Sequence, residues 1–287
     1  MRTKPGAGPL ATALCGLVLL GCLPGAAEAG KPSHHHKNPA LRSGAFYVLD
    51  ESASKVLTER HADVAAPIAS ITKLMTALVV LQAGQPLDEK ITITRDDVRG
   101  TAGNASRLPQ GAVLSRGDLL HLALMSSENR AAHALCRSYP GGLAACVRAM
   151  NAKARSLGMT TAHFVEPTGL SSNNVASPAD LAKLVVAAGH NATIREYSTD
   201  PHHTVRVKRH TLKYRNTNLL VSKSNWQVIV QKTGYISEAG RCLVMQAIID
   251  GRNVVIVLLD SWGRLTRIGD ANRIRHWMES GGAPGAG

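Results

Sequence analysis

The segment Ser70-Ile71-Thr72-Lys73 places a hydroxyl three positions before a primary amine, and a helix would bring both onto one face. An unactivated serine is a poor nucleophile, but a neutral lysine beside it can take its proton. That role requires a lowered lysine pKa, which we expect from partial burial and from a second cation, Lys232, in the same cleft. A helix that starts at Ser70 would also aim backbone N–H groups at a developing oxyanion.

Ser-x-x-Lys alone is common by chance, but two later tripeptides complete a set of three motifs. In Ser127-Glu128-Asn129, the serine hydroxyl can relay a proton to a leaving amine, and the asparagine can bind a substrate amide. In Lys232-Thr233-Gly234, which follows a strand pattern, the lysine and threonine can bind a substrate carboxylate. The glycine would let the backbone approach the substrate closely. Together the three motifs predict acyl transfer through a serine nucleophile.

The secondary-structure pattern must bring these motifs together. Strand patterns cover residues 45–50, 55–58, 226–230, 242–249 and 254–259, and helical patterns cover residues 70–84, 119–125, 143–157 and 267–278. This order predicts an α+β fold with one antiparallel sheet flanked by helices and an inserted all-helical lobe over about residues 85–200. The motifs would meet between the lobes, where clefts form.

The N-terminus has the features of an export signal. Arg2 and Lys4 precede an apolar stretch over residues 10–23 that is shorter than a membrane span, and Ala27-Glu28-Ala29 fits a cleavage site. The pattern predicts a signal peptide over residues 1–29 and a protein exported to the bacterial periplasm.

Further boundaries follow from composition. Leu19-Leu20-Gly21-Cys22 resembles a lipobox, so a lipid anchor at Cys22 stays open, although Leu20 is atypical. Membrane association would then be peripheral or lipid-anchored at most. We expect a flexible polar leader over residues 30–43, a folded domain over residues 44–280 and a flexible tail over residues 281–287.

The net charge of +13 becomes +12 if the signal peptide, which contains Arg2, Lys4 and Glu28, is removed. Such a charge favours anionic partners. An exported protein rarely meets nucleic acid, so we expect no nucleic-acid partner and favour the carboxylates of peptidoglycan stem peptides. Much of the charge lies in residues 202–215, which fit the solvated face of a hairpin.

Three cysteines follow the predicted signal peptide. Cys136 and Cys146 lie on successive predicted helices that could bring their thiols within bonding distance, so a disulfide is possible but open. Cys242 lies in a strand pattern and is expected to stay a buried thiol. No spacing resembles a metal site, and we expect no metal and no cofactor.

The chain resembles the D-alanyl-D-alanine carboxypeptidase family of low-molecular-mass penicillin-binding proteins, with a DD-peptidase catalytic domain of the serine β-lactamase/penicillin-binding-protein transpeptidase-like fold. The likeness covers about residues 44–280, and it extends beyond the motifs to residues 66–76, 166–170 and 238–245. Residues 124–132 are most similar to the penicillin-binding protein 7 group of D-alanyl-D-alanine endopeptidases. Those enzymes lack the extra β-rich domain of larger carboxypeptidases, and because this sequence ends at Gly287, soon after the predicted catalytic domain, we expect it to be of the same shorter type.

This resemblance implies a role for each motif residue. Ser70 would be the acylated nucleophile and Lys73 its base, with Ser127 catalytic and Asn129 in substrate binding. The resemblance assigns Lys232, Thr233 and Gly234 to carboxylate binding, and the backbone N–H groups of Ser70 and Tyr235 to the oxyanion hole. β-Lactam antibiotics would acylate Ser70 as covalent inhibitors.

Other functions remain to be weighed. A D-alanyl-D-alanine carboxypeptidase would use the same residues on uncross-linked stems. A class A β-lactamase would need Leu-Asn three and four residues after its glutamate, where this chain has Gly169 and Leu170 after Glu166. A non-catalytic wall-binding protein would not need every catalytic side chain, yet all of them are present.

Overall fold

A computed structural model describes residues 38–104 and 106–283 of the chain. The signal peptide and Cys22 predicted from the sequence lie outside these residues. The strands are β1 (Ser43–Asp50), β2 (Lys55–Arg60), β3 (Ala66–Pro67), β4 (Lys90–Thr92), β5 (Val113–Ser115), β6 (Val175–Ala176), β7 (His202–Val207), β8 (His210–Arg215), β9 (Gln227–Ile236), β10 (Gly240–Ile249) and β11 (Arg252–Ser261). The helices are α1 (Thr72–Gln82), α2 (Arg95–Arg99), α3 (Arg116–Met125), α4 (Asn129–Arg137), α5 (Gly142–Ser156), α6 (Pro178–Gly189), α7 (Ala192–Thr199) and α8 (Thr266–Glu279), with 3-10 turns at Ala69–Ile71 and Leu219–Ser222.

One five-stranded sheet has the order β2-β1-β11-β10-β9, and all its pairings are antiparallel. The N-terminal strands β1 and β2 therefore join the C-terminal strands in a single sheet, as the sequence predicts. Strand β9, which carries the third motif, lies at an edge of this sheet, so one side of its backbone is open to a ligand.

The sheet is buried on both faces, which explains the continuous apolar runs in its central strands. Leu243, Met245, Ile256 and Leu258 pack against Ile274 of α8 on one face, and Val244, Val255 and Val257 belong to the second core beneath the other helices. The run from 254 to 259 in β11 is completely apolar because its alternate side chains enter two different cores.

Helix α1 lies at the centre of the second core and is buried from Thr72 to Val80. A helix that is surrounded on all sides normally carries apolar residues, and the buried stretch from Thr72 to Val80 does so except at Thr72, Lys73 and Thr76. Thr72 donates to the Ala69 carbonyl and Thr76 donates to the Pro167 carbonyl, both at 2.8 Å. The buried Lys73 also needs hydrogen-bond partners, and these are described with the active site below.

The predicted helical lobe also contains short strands. Within residues 85–200, β4 pairs with β5, and β6 pairs with β3, which precedes this range; β7 and β8 form a hairpin just beyond it. The lobe is therefore not all-helical. Serine residues cap two of its helices: Ser115 accepts from Asp118 N at the start of α3, and Ser177 accepts from Asp180 N at the start of α6, where proline follows it.

Ordered structure extends a few residues beyond both predicted ends of the folded domain. Strand β1 already begins at Ser43, whose backbone N–H donates to the buried carboxylate of Asp270 at 2.8 Å. Leu41 is also buried, so the ordered chain begins within the predicted leader. At the other end, Ala283 is buried against the α8 core, within the predicted tail. Apolar burial and a buried hydrogen bond attach segments whose composition suggests flexibility.

Candidate active site

Ser70 lies in the 3-10 turn Ala69–Ile71 and is half-buried. The α-helix begins at Thr72, so the prediction of a helix starting at Ser70 is wrong by two residues. Ala69 has a φ of 47°, a left-handed conformation that is unusual for a residue other than glycine. Such strain occurs at functional sites because the surrounding structure holds it in place.

Lys73 is 1% exposed and forms three hydrogen bonds. Its Nζ lies 2.8 Å from Ser70 Oγ, 2.7 Å from Asn129 Oδ1 and 2.6 Å from the Thr168 carbonyl oxygen. These acceptors come from three separate segments of the chain. They account for all three donors of an ammonium group, so the charged form is satisfied, although it is buried.

Burial lowers the pKa of Lys73 to about 7, although the carboxylates of Glu166 and Glu128 raise it. The expectation that Lys232 is a main cause is therefore corrected, since the loss of solvation in the core comes first. The pKa of Lys232 is lowered as well: burial, followed by the charges of Lys73 and Arg267, holds it well below its usual range. Lys73 can thus be neutral near neutral pH.

The second motif occupies the turn between α3 and α4. Ser127 has a φ of 63°, and Glu128 caps α4 by accepting from Arg130 N at 3.2 Å. Asn129 is the first residue of α4, and its Oδ1 accepts from Lys73 Nζ at 2.7 Å. The motif therefore joins the helical lobe directly to the nucleophile segment.

The third motif lies in β9. Lys232 is fully buried and its Nζ donates to the Thr233 carbonyl at 2.8 Å, while the Thr233 and Thr217 hydroxyl oxygens are 2.6 Å apart. Thr217 also donates its backbone N–H to the Met125 carbonyl at 3.0 Å, at the end of α3. The sequence reasoning missed Thr217; the polar run Asn216-Thr217-Asn218 was the available signal.

Two glycines allow the nucleophile turn to pack tightly. A Cβ atom on Gly234 would lie 3.1 Å from Ser70 N and 3.0 Å from Ala69 Cβ. A Cβ atom on Gly169, whose φ is 81°, would overlap the Ala69 carbonyl. We expected Gly234 to admit the substrate, but in the structure its missing side chain admits the turn that carries Ser70. Tyr235 follows at once, with its side chain 58% exposed.

Glu166 organises the loop that approaches Lys73, a role that sequence reasoning did not assign. Its carboxylate accepts from the backbone N–H groups of Thr168 and Gly169, both at 2.6 Å, and from Asn174 Nδ2 at 2.9 Å. The Thr168 carbonyl that meets Lys73 is held by this arrangement. A carboxylate with these internal partners is committed to its own loop.

The structure joins Cys136 and Cys146 by a disulfide with a Cα–Cα distance of 5.4 Å, between α4 and α5. Cys242 is a buried free thiol, and burial raises its pKa to about 12. It lies opposite Gly234 in the β9–β10 pairing. Its raised pKa makes it a poor nucleophile near neutral pH.

Two wider searches concern residues 38–104 and 106–283 alone. Within these ranges, His, Cys, Asp and Glu side chains form no group of three or more that could hold a metal ion. In the same part of the chain, every helix is too short or too polar to cross a bilayer.

Comparison with known proteins places this geometry in a family. A family model described as D-alanyl-D-alanine carboxypeptidase matches residues 32–262. The D-alanyl-D-alanine endopeptidase of Pseudomonas aeruginosa is 48% identical over 243 residues, which is 84% of this chain and 78% of the relative. That of Escherichia coli is 46% identical over 245 residues, 85% of this chain and 79% of the relative.

A solved structure extends the likeness to the fold. The Streptomyces K15 DD-transpeptidase is similar with a TM-score of 0.79 at 29% identity, over 85% of this chain and 99% of that structure. The predicted fold class and the prediction of a serine-type hydrolase are thus confirmed. The chain belongs to the D-alanyl-D-alanine carboxypeptidase family of serine DD-peptidases, enzymes that act on peptidoglycan.

Proposed function

We propose that this protein is a DD-endopeptidase that hydrolyses D-alanyl–meso-diaminopimelyl cross-links of peptidoglycan through an acyl-enzyme on Ser70. The observation that carries the proposal is the 2.8 Å contact between Ser70 Oγ and a buried Lys73 whose pKa is lowered to about 7. The similarity to two D-alanyl-D-alanine endopeptidases at 48% and 46% identity supports the choice of cross-links as the substrate.

In the first step, neutral Lys73 accepts the proton of Ser70 Oγ as that oxygen attacks the D-alanyl carbonyl carbon. The carbonyl oxygen becomes an oxyanion, which accepts hydrogen bonds from the backbone N–H groups of Ser70 and Tyr235. The close approach of Gly234 to Ser70 N supports this pairing, since Tyr235 is the next residue in β9.

In the second step, the C–N bond breaks and the amine of the second stem peptide leaves with a proton relayed from Lys73 through the Ser127 hydroxyl. The Oδ1 atom of Asn129 accepts from Lys73, which leaves its Nδ2 group to donate to a substrate amide. Thr233 Oγ1 and the protonated form of Lys232 bind the substrate carboxylate. Water then attacks the acyl-enzyme, with Lys73 again as base, and releases Ser70 and the D-alanyl acid.

Two other parts of the prediction join this proposal. We propose that the protein is exported to the bacterial periplasm, where it remodels the cell wall and influences cell shape. The signal peptide over residues 1–29 would direct export, with Cys22 as the alternative lipid anchor. Membrane association would be peripheral or lipid-anchored at most. The composition of the signal peptide supports export and the possible lipid anchor.

A β-lactamase activity is disfavoured by a specific contact set. Glu166 accepts from backbone N–H groups of its own loop, so its carboxylate is not available to activate a deacylating water. We therefore expect β-lactams to form long-lived acyl-enzymes on Ser70, and rapid nitrocefin turnover by the purified protein would contradict this.

The proposal is tested by mass spectrometry of purified cross-linked muropeptide dimers and pentapeptide monomers after incubation with the protein. Ser70→Ala serves as the inactive variant. Ser156→Ala is the matched control, because Ser156 is an exposed serine that donates only to the Lys153 carbonyl of its own helix. We expect dimers to fall to monomers with the unaltered protein and with Ser156→Ala, and to persist with Ser70→Ala.

The other outcomes are decisive as well. Loss of the terminal D-alanine from pentapeptides, with dimers intact, would make the enzyme a carboxypeptidase. Cleavage that persists in Ser70→Ala would refute the nucleophile. No change in either substrate, in a protein that is still acylated by penicillin, would refute the cross-link as substrate while keeping the serine chemistry.

A further inference from the structure

The β7–β8 hairpin is strongly basic, and its charge has no counterpart nearby in the chain. Residues 201–237 contain no aspartate and no glutamate. Within the hairpin, the arginine and lysine residues are Arg206, Lys208, Arg209, Lys213 and Arg215. Among the residues that the structure describes, none of them forms an ion pair. The proposed reaction uses none of them either, so their charge is left for a partner outside the protein.

The two sides of the hairpin differ in chemistry. Residues that pair directly across an antiparallel ladder point to the same side, and successive pairs alternate between the sides. Val205 and Tyr214, which belong to inward pairs, are buried in the second core. The outward pairs, which are exposed, are His202–Arg215, Thr204–Lys213 and Arg206–Thr211. One side of the hairpin is therefore packed on the protein, and the other side presents cations to solvent.

A pocket of about 400 Å³ lies at the base of this exposed side. Its walls include three basic side chains and two hydroxyl groups, from His202, Lys213, Arg215, Thr204 and Ser222. The described residues that line it include no acidic side chain. Ammonium, guanidinium, imidazole and hydroxyl groups can all donate hydrogen bonds, so this set of side chains fits an anion.

The base of the hairpin is held by contacts to the helical lobe. Arg107 Nη1 donates to the Lys213 carbonyl at 2.5 Å, and the Arg107 guanidinium lies 4.8 Å from the centroid of the Tyr214 ring. On the other strand, the His203 ring stacks on His121 with their centroids 3.9 Å apart. These contacts fix the backbone that carries the pocket, which lowers the entropic cost of binding a ligand there.

We propose that this pocket binds the phosphate group of an anionic phospholipid, and that the outward side of the hairpin docks the protein on a membrane surface. Lys213 and Arg215 pair with the phosphate oxygens, and the hydroxyls of Thr204 and Ser222 donate to them. The other cations of the hairpin meet neighbouring headgroups. The inference adds a docking surface to the proposed cleavage of cross-links and does not depend on that cleavage.

Lipid phosphate fits this surface better than the stem-peptide carboxylates that the sequence alone favoured. A tetrahedral phosphate accepts from donors that approach from several directions, whereas the two oxygens of a carboxylate lie in one plane. Lipids also diffuse within a membrane, so anionic headgroups can gather beneath a fixed set of cations, while stem peptides are held in a covalent network. No large apolar side chain of residues 202–215 is exposed, so the docking is electrostatic and salt reverses it.

The test measures co-sedimentation of the purified protein with vesicles of phosphatidylglycerol and phosphatidylcholine in equal parts, and with vesicles of phosphatidylcholine alone. The charge variant is Lys213→Gln/Arg215→Gln. Its matched control is Arg148→Gln/Arg155→Gln, because these two exposed arginines lie on α5 and their removal changes the net charge equally. Acylation by benzylpenicillin at the unaltered rate shows that each variant is folded.

We expect Lys213→Gln/Arg215→Gln to bind the mixed vesicles about 25-fold more weakly than the unaltered protein, since each basic residue near an anionic surface raises the binding constant about fivefold. The α5 variant should bind within about threefold of the unaltered protein, and high salt should release every form from the mixed vesicles. A lipid on Cys22 would bind all forms equally to both kinds of vesicle, so it cannot produce this difference.

A second pair of variants separates the pocket from the general charge of the hairpin. Thr204→Val removes a hydroxyl of the pocket and keeps every charge. Thr211→Val removes a hydroxyl from the same exposed side of the hairpin but outside the pocket. We expect Thr204→Val to bind the mixed vesicles about fivefold more weakly, and Thr211→Val to bind within about twofold of the unaltered protein.

Equal losses in Lys213→Gln/Arg215→Gln and in the α5 variant would overturn the inference, because net charge alone would then explain the binding. Unchanged binding of Thr204→Val would remove the pocket from it. Sedimentation with purified peptidoglycan sacculi but not with vesicles would assign the surface to the wall instead. Saturable binding of inorganic phosphate without vesicle binding would make the pocket a site for free phosphate. Failure of the proposed function looks different, because the protein would then bind vesicles as expected and cut no cross-link.

Discussion

The hydroxyl oxygens of Thr217 and Thr233 lie 2.6 Å apart. Thr217 also bonds the carbonyl of Met125 through its backbone N–H, at 3.0 Å. One threonine therefore ties the edge strand that carries the third motif to the end of the helix that precedes the second motif.

We predict that Thr217→Val slows acylation by benzylpenicillin about tenfold, because Val keeps the shape of Thr but leaves the Thr233 hydroxyl without its partner. The free energy of unfolding should fall by about 1 kcal/mol. The measurement is the second-order rate constant of acylation. Thr211→Val, an exposed threonine of β8, is the control and should react at the unaltered rate. An unchanged rate in Thr217→Val would show that Thr233 needs no tether.

The acylation rate should rise with pH, because burial lowers the pKa of Lys73 to about 7 and the protonated amine cannot accept the Ser70 proton. Below this pKa the neutral fraction falls tenfold per pH unit, so we expect a roughly 90-fold increase between about pH 5 and about pH 8. Stopped-flow acylation with a chromogenic β-lactam measures it, with circular dichroism at each pH to exclude unfolding. A flat profile would remove Lys73 as the base.

Removing a neighbouring charge should move that profile. The Glu128 carboxylate raises the pKa of Lys73, so Glu128→Gln should lower the pKa and shift the midpoint of the pH–rate curve to lower pH. Glu196→Gln, an exposed glutamate of α7, is the control. A midpoint that moves upward, or moves equally in both variants, would contradict the electrostatic explanation.

Gly169 and Gly158 allow a matched comparison of backbone strain with steric overlap. Both have positive φ, 81° and 67°, but a Cβ atom would overlap the Ala69 carbonyl at Gly169 and meets nothing within 4 Å at Gly158. We expect Gly158→Ala to cost about 1 kcal/mol in the free energy of unfolding and to keep full acylation. Gly169→Ala should cost several times more, or about 3 kcal/mol, and abolish acylation because it displaces the Ser70 turn.

Urea unfolding and penicillin labelling measure both glycine variants. Equal losses of stability and of labelling would show that strain alone, rather than contact with the Ser70 turn, determines the effect. Normal labelling of Gly169→Ala would show that the turn tolerates displacement.

Reduction of the Cys136–Cys146 disulfide should lower the free energy of unfolding by about 2–3 kcal/mol, because the bond closes a loop with a sequence separation of 10. The measurement is urea unfolding with and without dithiothreitol. In Cys136→Ala/Cys146→Ala, dithiothreitol should have no effect, which separates the disulfide from other consequences of the reductant. Equal stability of the oxidised and reduced protein would contradict the prediction.

Local signals in the sequence predicted much of the framework. The strand patterns at both ends of the chain and the single antiparallel sheet that unites them follow from local residue patterns, and the structure confirms this sheet. The start of the folded domain depends on a distant contact, because Ser43 is held by Asp270, which lies 227 positions away. A contact of that range leaves no mark in local composition.

Some features of the active site also follow from the sequence, and others only from the tertiary structure. By itself, the sequence determined which chemical groups are present and in what order: a serine with a lysine one turn later, a Ser-x-Asn turn and a Lys-Thr-Gly strand. The tertiary structure alone decided the Lys73 environment, the Thr217 tether, the Glu166 loop and the basic pocket of the β7–β8 hairpin. The physical reason is that a pKa, a tether and a pocket depend on burial and on contacts between distant segments, and these exist only once the chain has packed.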